Sequence, residues 1–299
     1  MALLALLLVA VAPAETPESR AVGFLAREVP EWPRENGCFS CHNNGDAARA
    51  LIAAKTAGLV VPDESLAETI DWLARPERWD DNGGGGGFDD TVLARIQFAS
   101  ALASAVDAGL IEDRSTLERA AEIVASDQGA DGSWRLDASA SLGSPATYGR
   151  PLATAVAKRV LEKADRKRHA DAVLRASDWL RNLEVQTVID AAAVLLGVGA
   201  ACGKCVDIIE KAQAPSGGWG AYLVGAPEPF DTALVMLALD DAALGDDWIE
   251  DGRAFLLESQ LVDGSWPETT RPAGQQSYAQ YISTTGWATL ALLCTGSRR

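Results

Sequence analysis

Positive charge and long apolar runs are what this sequence is short of. Its 26 lysines and arginines are set against 42 aspartates and glutamates, a formal charge of −16 at pH 7. Nucleic acid and anionic membrane surfaces would repel such a chain, so the charge argues against both as partners, while a basic redox partner protein is compatible with it. Past the first fourteen residues no segment reaches 18 uninterrupted apolar residues, so the remainder carries no expected membrane span. There is no extended low-complexity tract, and an apolar content of 48% suffices for a large core. Histidine and methionine each occur twice and cysteine five times. Any chemistry that needs an imidazole must therefore use His42 or His169.

What is present begins with an apolar run over residues 1–14, ending in Ala12-Pro13-Ala14. Its length and small terminal residues read as a secretory signal peptide cleaved near Ala14, although its start has no lysine or arginine. The mature protein is expected to be exported, periplasmic or extracellular, with residues 15–299 forming a single domain.

A recurring phrase organises that domain. Gln260, Gly264 and Trp266 repeat the spacing of Gln128, Gly132, Trp134 and of Gln213, Gly217, Trp219. The loop anchors His42, Phe88, Trp134, Trp219 and Trp266 stand 46, 46, 85 and 47 residues apart. The 85-residue gap has room for one unit, around Asn182, that has lost its loop. Self-similarity at this period marks a repeat architecture. Helical periodicity predicts six hairpins. In each of them an amphipathic helix precedes the loop and a helix richer in Ala, Leu and Val follows it. The pairs are 17–29 with 46–58, 63–75 with 90–109, 115–127 with 151–163, 171–181 with 185–201, 205–213 with 232–243, and 248–260 with 282–294. Pro30 and Pro33 are expected to end the first helix, with residues 36–45 a loop. A closed all-α barrel, apolar helices inside, buries every unit against its neighbours; an open solenoid of helix pairs is the alternative.

The phrase over residues 253–266 resembles the QW repeat of squalene and oxidosqualene cyclases and, more loosely, the repeats of protein prenyltransferase β subunits. That resemblance covers most of residues 19–299, with Gly87-Phe88 a degraded copy, and implies an αα-toroid, an (α/α)6 barrel. It also implies that Gln128, Trp134, Gln213, Trp219, Gln260 and Trp266 are scaffold, and the residues agree, because a Trp beside glycine turns is most often packing. The catalytic residues of those families do not carry over. No D-x-D-D acid occurs, and no histidine lies late enough for a prenyltransferase zinc triad. Whether the chain is an enzyme is left open by the resemblance, since function resides in the site and not the fold.

The one chemical constellation is Cys38-Phe39-Ser40-Cys41-His42, which fits C-x-x-C-H, the attachment signature of c-type haem. Two thiols add to the haem vinyl groups and the adjacent imidazole of His42 reaches the iron. The motif occupies the place in unit 1 that Gly-x-Trp occupies in units 3, 5 and 6. A haem there would sit at one mouth of the toroid and close or sense its cavity. Two alternatives stand beside it: a Cys38–Cys41 disulfide, and a zinc site that adds Cys202 and Cys205.

Other candidates have plainer readings. Cys202-Gly203-Lys204-Cys205 is a second C-x-x-C, without the strand that precedes thioredoxin-type motifs, and reads as a structural disulfide or free thiols. Cys294 reads as a buried thiol, Met236 as core filler and His169 as a solvated surface residue. Asp90 and Asp231 read as residues at helix N-termini. Residues 83–87 are glycines, but no Gly-Lys-Ser/Thr follows, so they are no phosphate loop. Tyr278, Tyr281 and Trp287 either pack in the core or line a cavity suited to an apolar or sugar-like ligand. The expected function is electron transfer or redox sensing by an exported haem toroid. The alternatives are a non-redox binding toroid with structural disulfides or zinc, or an enzyme acting on a terpenoid or polysaccharide.

Overall fold

The computed structural model describes residues 15–83, 90–136, 148–271 and 276–296. Among the described residues are twelve α-helices and no strand. Six lie outside: α1 (Pro17–Asn36), α3 (Ala67–Leu73), α5 (Ser115–Ser126), α7 (Ala170–Arg181), α9 (Gly203–Ala212) and α11 (Asp246–Ser259). They alternate with α2 (Ala48–Thr56), α4 (Thr91–Asp107), α6 (Gly149–Asp165), α8 (Val188–Val198), α10 (Pro229–Asp241) and α12 (Tyr278–Gly296). The even-numbered helices touch in order, and α12 returns to α2, so the inner ring is closed. The expected αα-toroid of six hairpins is the observed fold.

Patterning decides which helix goes where. Ten of the thirteen residues of α10 and nine of the eleven of α8 are buried, so these helices need protein on every side. In α11 only Ile249, Gly252 and Leu256 are buried, one stripe at helical spacing that a single inner face covers.

The recurring phrase makes the same joint three times. Trp134, Trp219 and Trp266 are wholly buried, and each indole Nε1 donates to a carbonyl ten residues back in its own outer helix: Val124, Ile209 and Leu256, at 2.7, 2.8 and 2.7 Å. Each Trp backbone N–H donates to a threonine on the following inner helix: Thr154, Thr232 and Thr285. The Gln side chains then reach the next outer helix. Gln128 donates to Ala172 O, Gln213 to Trp248 O and Gln260 to Pro17 O, at 2.9, 3.1 and 2.9 Å. The third joint therefore links the last outer helix to the first.

The first helix differs from expectation. Pro30 and Pro33 lie inside α1, which runs on to Asn36 and stops at Gly37, in the left-handed region with φ +68°. A proline at position 33 takes the helical donor away from Val29 O. Asn44 Nδ2 supplies a replacement at 3.1 Å, and Asn43 Nδ2 donates to the neighbouring Glu28 O at 2.9 Å. Residues 42–47, expected to be mostly loop, are instead a π-helical turn that leads into α2. Residues 1–14, where a signal peptide is expected, most of the glycine run and Phe88 lie outside the described residues.

Candidate functional site

Cys38 to Asn44 cross from the end of α1 to the π-turn, and side chains hold the crossing. Ser40 N–H donates to Asn44 Oδ1 at 2.9 Å, and Ser40 Oγ donates to Asn43 Oδ1 at 2.9 Å. Asn44 Nδ2 also reaches Thr69 Oγ1, Asn43 Nδ2 reaches Tyr278 OH, and Phe39 exchanges two hydrogen bonds with Asn82. On this frame Cys38 and Cys41 are both free, half-buried thiols, so the alternative disulfide between them is not formed. Burial, helped by the charge of Asp46, pushes the Cys41 thiol up to about 12.

His42 opens the π-turn. Its ring stands edge-on to Trp32 and Tyr278, with centroids 4.9 and 5.7 Å away, while those two rings stack on each other at 5.4 Å. Burial holds the imidazole down at about 4, so it is neutral across the physiological range. Its Nε2 is buried with no hydrogen-bond partner. A buried polar atom without a partner calls for an explanation.

One turn further on, the wider π-turn places Asp46 at the axis of the toroid. The carboxyl is 1% exposed. Gln97 Nε2 of α4 donates to one oxygen at 2.7 Å and Tyr148 OH, at the start of α6, to the other at 2.9 Å. Burial raises the Asp46 carboxyl above its ordinary range, against the lowering effect of Arg49 and of hydrogen bonds that include Ser283 of α12. Helix α12 approaches closely enough that a Cβ on Gly286 would stand 3.0 Å from Asp46 O. No sequence motif flags this network. Its residues, Asp46 in the π-turn, Gln97 in α4 and Ser283 in α12, are polar positions that the sequence does not set apart from others nearby.

All six inner helices wall a chamber of about 310 Å³ built mostly from their C-terminal halves, with Arg49 entering from the first turn of α2. Ala53, Val156, Leu196, Leu237 and Leu290 supply apolar wall, with Trp287 among them. The Arg49 guanidinium lies 4.4 Å above the Trp287 ring and donates to Ser100 Oγ at 2.9 Å. Arg159 and Lys163, also on the wall, pair with Asp241 and Asp107. Arg49 has no carboxylate within ion-pair distance among the described residues, and its Nε is buried without a partner; Asp240 and Asp241 share the wall with it.

Several expectations are corrected. None of Cys38, Cys41 and His42 lines the chamber. Cys202 and Cys205 are joined as a disulfide, and no group of three or more His, Cys, Asp or Glu able to hold a metal comes together among the described residues. The four-cysteine zinc arrangement is therefore not assembled. His169 is 8% exposed, tucked in just before α7, instead of solvated. Cys294 is exposed on the chamber mouth because α12 ends there. Of the three aromatics only Trp287 lines the chamber; Tyr281 packs edge-on to Phe24 and Tyr278 covers His42. Met236 is core, lying against Gly252 beside Trp219. Asp90 caps α4 through Leu93 N–H at 2.8 Å. Asp231, in the first turn of α10, is buried and held at about 7 by that burial despite its 2.6 Å bond to Arg271.

No protein-family model matches the chain, and no curated protein matches it. Solved structures do. The type II terpene cyclase MstE from Scytonema, in its apo form, is similar with a TM-score of 0.55 at 14% identity, over 94% of this chain and 98% of that one. A variant of that enzyme in complex with geranylgeranyl dihydroxybenzoate, its substrate, gives the same values. Another, in complex with merosterolic acid A, its product, gives 0.54 at 15% identity over 93% and 96%. At such identity the likeness is one of fold: the chain is an all-helical toroid of the kind found in type II terpene cyclases.

Proposed function

We propose that the protein is exported and carries one covalent c-type haem, which Cys38 and Cys41 would hold through thioether links and His42 through its imidazole, and that it serves in electron transfer or redox sensing. The observation that carries this reading is His42 Nε2, a buried and partnerless nitrogen on a neutral imidazole, directly after two free thiols. The donor set suits the group: thiols for thioether linkage and an imidazole for iron. When bound, the haem supplies a one-electron couple. The chain's own part is to orient and shield. The Asn43 and Asn44 bonds to α1 and Thr69 fix the motif, and Trp32 and Tyr278 pack edge-on against the His42 ring and shield it. Met236 is committed to the core between α10 and α11, so it would not be among the residues that hold the group.

A pyridine haemochrome spectrum with intact mass, on protein exported by a host able to mature c-type cytochromes, tests this. The expected result is a thioether-haem α-band and the mass of one haem, with normal attachment lost in Cys41→Ser. A colourless protein at the apo mass would sink the proposal.

A second reading rests on the chamber. Its volume is at the lower end of the range for small-molecule sites, roughly 300–1,000 Å³. A guanidinium stacked on Trp287, its Nε without a hydrogen-bond partner, above an otherwise largely apolar wall suits a small amphiphile with an anionic end. Decanoate is expected to raise the melting temperature in a concentration-dependent way, more than decanol does, and Arg49→Gln should weaken decanoate binding about tenfold or more. Equal effects of acid and alcohol, or none from either, would remove the anion from this reading. Cyclase chemistry is not proposed, because neither Asp46 nor Asp231, both buried carboxyls with a raised pKa, is on the chamber wall.

A further inference from the structure

The disulfide between Cys202 and Cys205 has no evident structural task. It spans the first turn of α9, where Cys205 N–H already donates to Cys202 O at 3.0 Å. A cross-link closing so short a loop removes the least freedom from the unfolded chain, and this one fastens no second element. Its two sulfurs are unlike. Cys205 is wholly buried under α9, whereas Cys202 is half-buried, with Ala201, Gly203 and Lys204 exposed around it. Cys202 Sγ occupies the N-cap and accepts a hydrogen bond from Cys205 N–H at 3.3 Å. A thiolate at that position would accept the N–H bond and face the helix N-terminus, with Lys204 two residues on, a setting that favours Cys202 as a leaving group.

We infer that Cys202–Cys205 is a redox-active dithiol/disulfide couple that exchanges with the dithiol of a partner, Cys202 being the sulfur attacked. A thiolate of the partner attacks Cys202 Sγ; the new sulfur–sulfur bond forms as the Cys202–Cys205 bond breaks, and Cys205 leaves as a thiolate that takes a proton from water. The partner's second thiol loses its proton and attacks the partner's own sulfur in the mixed disulfide. That releases Cys202 as a thiolate on the helix N-terminus. The partner ends as a disulfide, and its two electrons now reside on Cys202 and Cys205. The couple is independent of any haem at Cys38 and Cys41.

Two measurements on the full chain test this, each with Cys294 as internal reference. That thiol is also exposed but is pushed up by partial burial and the charge of Asp240. In Cys205→Ser, Cys202 should react with iodoacetamide at pH 7 at least about tenfold faster than Cys294, and should capture glutathione from oxidised glutathione. In the wild type, dithiothreitol should open the pair, read by alkylation and peptide mapping, with no change in helical circular dichroism. A pair that opens only as helicity is lost overturns the inference. So does a Cys202 thiol no faster than Cys294. The wild-type experiment decides alone if Cys205→Ser fails to fold.

Discussion

Gly264→Val should destabilise the folded chain by about 3–5 kcal/mol, seen as a lower urea midpoint. Gly264 has φ +95°, which side chains rarely adopt, and holding a non-glycine residue in such a sparsely populated region costs about 1–3 kcal/mol. Space is the second term. A Cβ there would stand 2.4 Å from the carbonyl oxygen of Arg20, which is backbone and cannot rotate away. Gly264 O accepts from Gln260 Nε2, whose other bond goes to Pro17 O, and Arg20 itself donates to Gln260. The added methyls therefore push α1 off the loop and break the pair of bonds between the ends of the ring. Gly132 and Gly217 share the conformation, and their Cβ atoms would meet Arg175 O and Asp251 O at 2.5 and 2.3 Å. Valine at either should cost a similar amount. A loss under about 1 kcal/mol at Gly264 would show that the joint is slack.

Asp46→Ala should cost about 3–5 kcal/mol, while Asp46→Asn should cost far less near neutral pH. Alanine strips the acceptor from Tyr148 OH and Gln97 Nε2, both buried, at about 1–3 kcal/mol for each donor left unsatisfied. Asparagine keeps the shape and one acceptor. The comparison has a pH signature. Burial raises the folded carboxyl above the ordinary value of 3.8, so folding takes up a proton once the unfolded chain has ionised. The stability of the wild type relative to Asp46→Asn is thus full below about 4 and declines as pH rises through the folded value. Urea denaturation of both proteins from pH 4 to pH 8 reads it directly. A difference that grows with pH would mean that Arg49 outweighs burial and the carboxyl is ionised.

The ring was legible in the sequence because its signals are local and repeated. A Gln, a Gly and a Trp at fixed spacing recur often enough to set a period, and stripes such as Ile249, Gly252 and Leu256 separate outer helices from inner ones. What was not legible depends on neighbours distant in sequence. Pro33 reads as a helix end until Asn44 is seen supplying the missing donor to Val29 O. His169 sits in a basic run and looks solvated, yet the packing of α7 buries it. The C-x-x-C-H spacing could be read as a pattern, but the buried, partnerless nitrogen of an imidazole edge-on to Trp32 and Tyr278 exists only once α1 and α12 converge. Asp46 left no motif at all, because its partners come from three other helices.

The Gln260–Pro17 bond also sets the order of events in folding. Gln128 and Gln213 reach partners 44 and 35 residues away, whereas Gln260 reaches one 243 residues away. Loop closure over the longer distance costs about 1.5 kcal/mol more chain entropy than over the shorter two. The toroid is thus a row of inexpensive local clasps with one dear one. The ring should zip from the inside of the sequence outward, gain its last contacts when α1 meets α11 and α12, and in the native state breathe first at that seam, which makes α1 the element whose amide hydrogens exchange soonest.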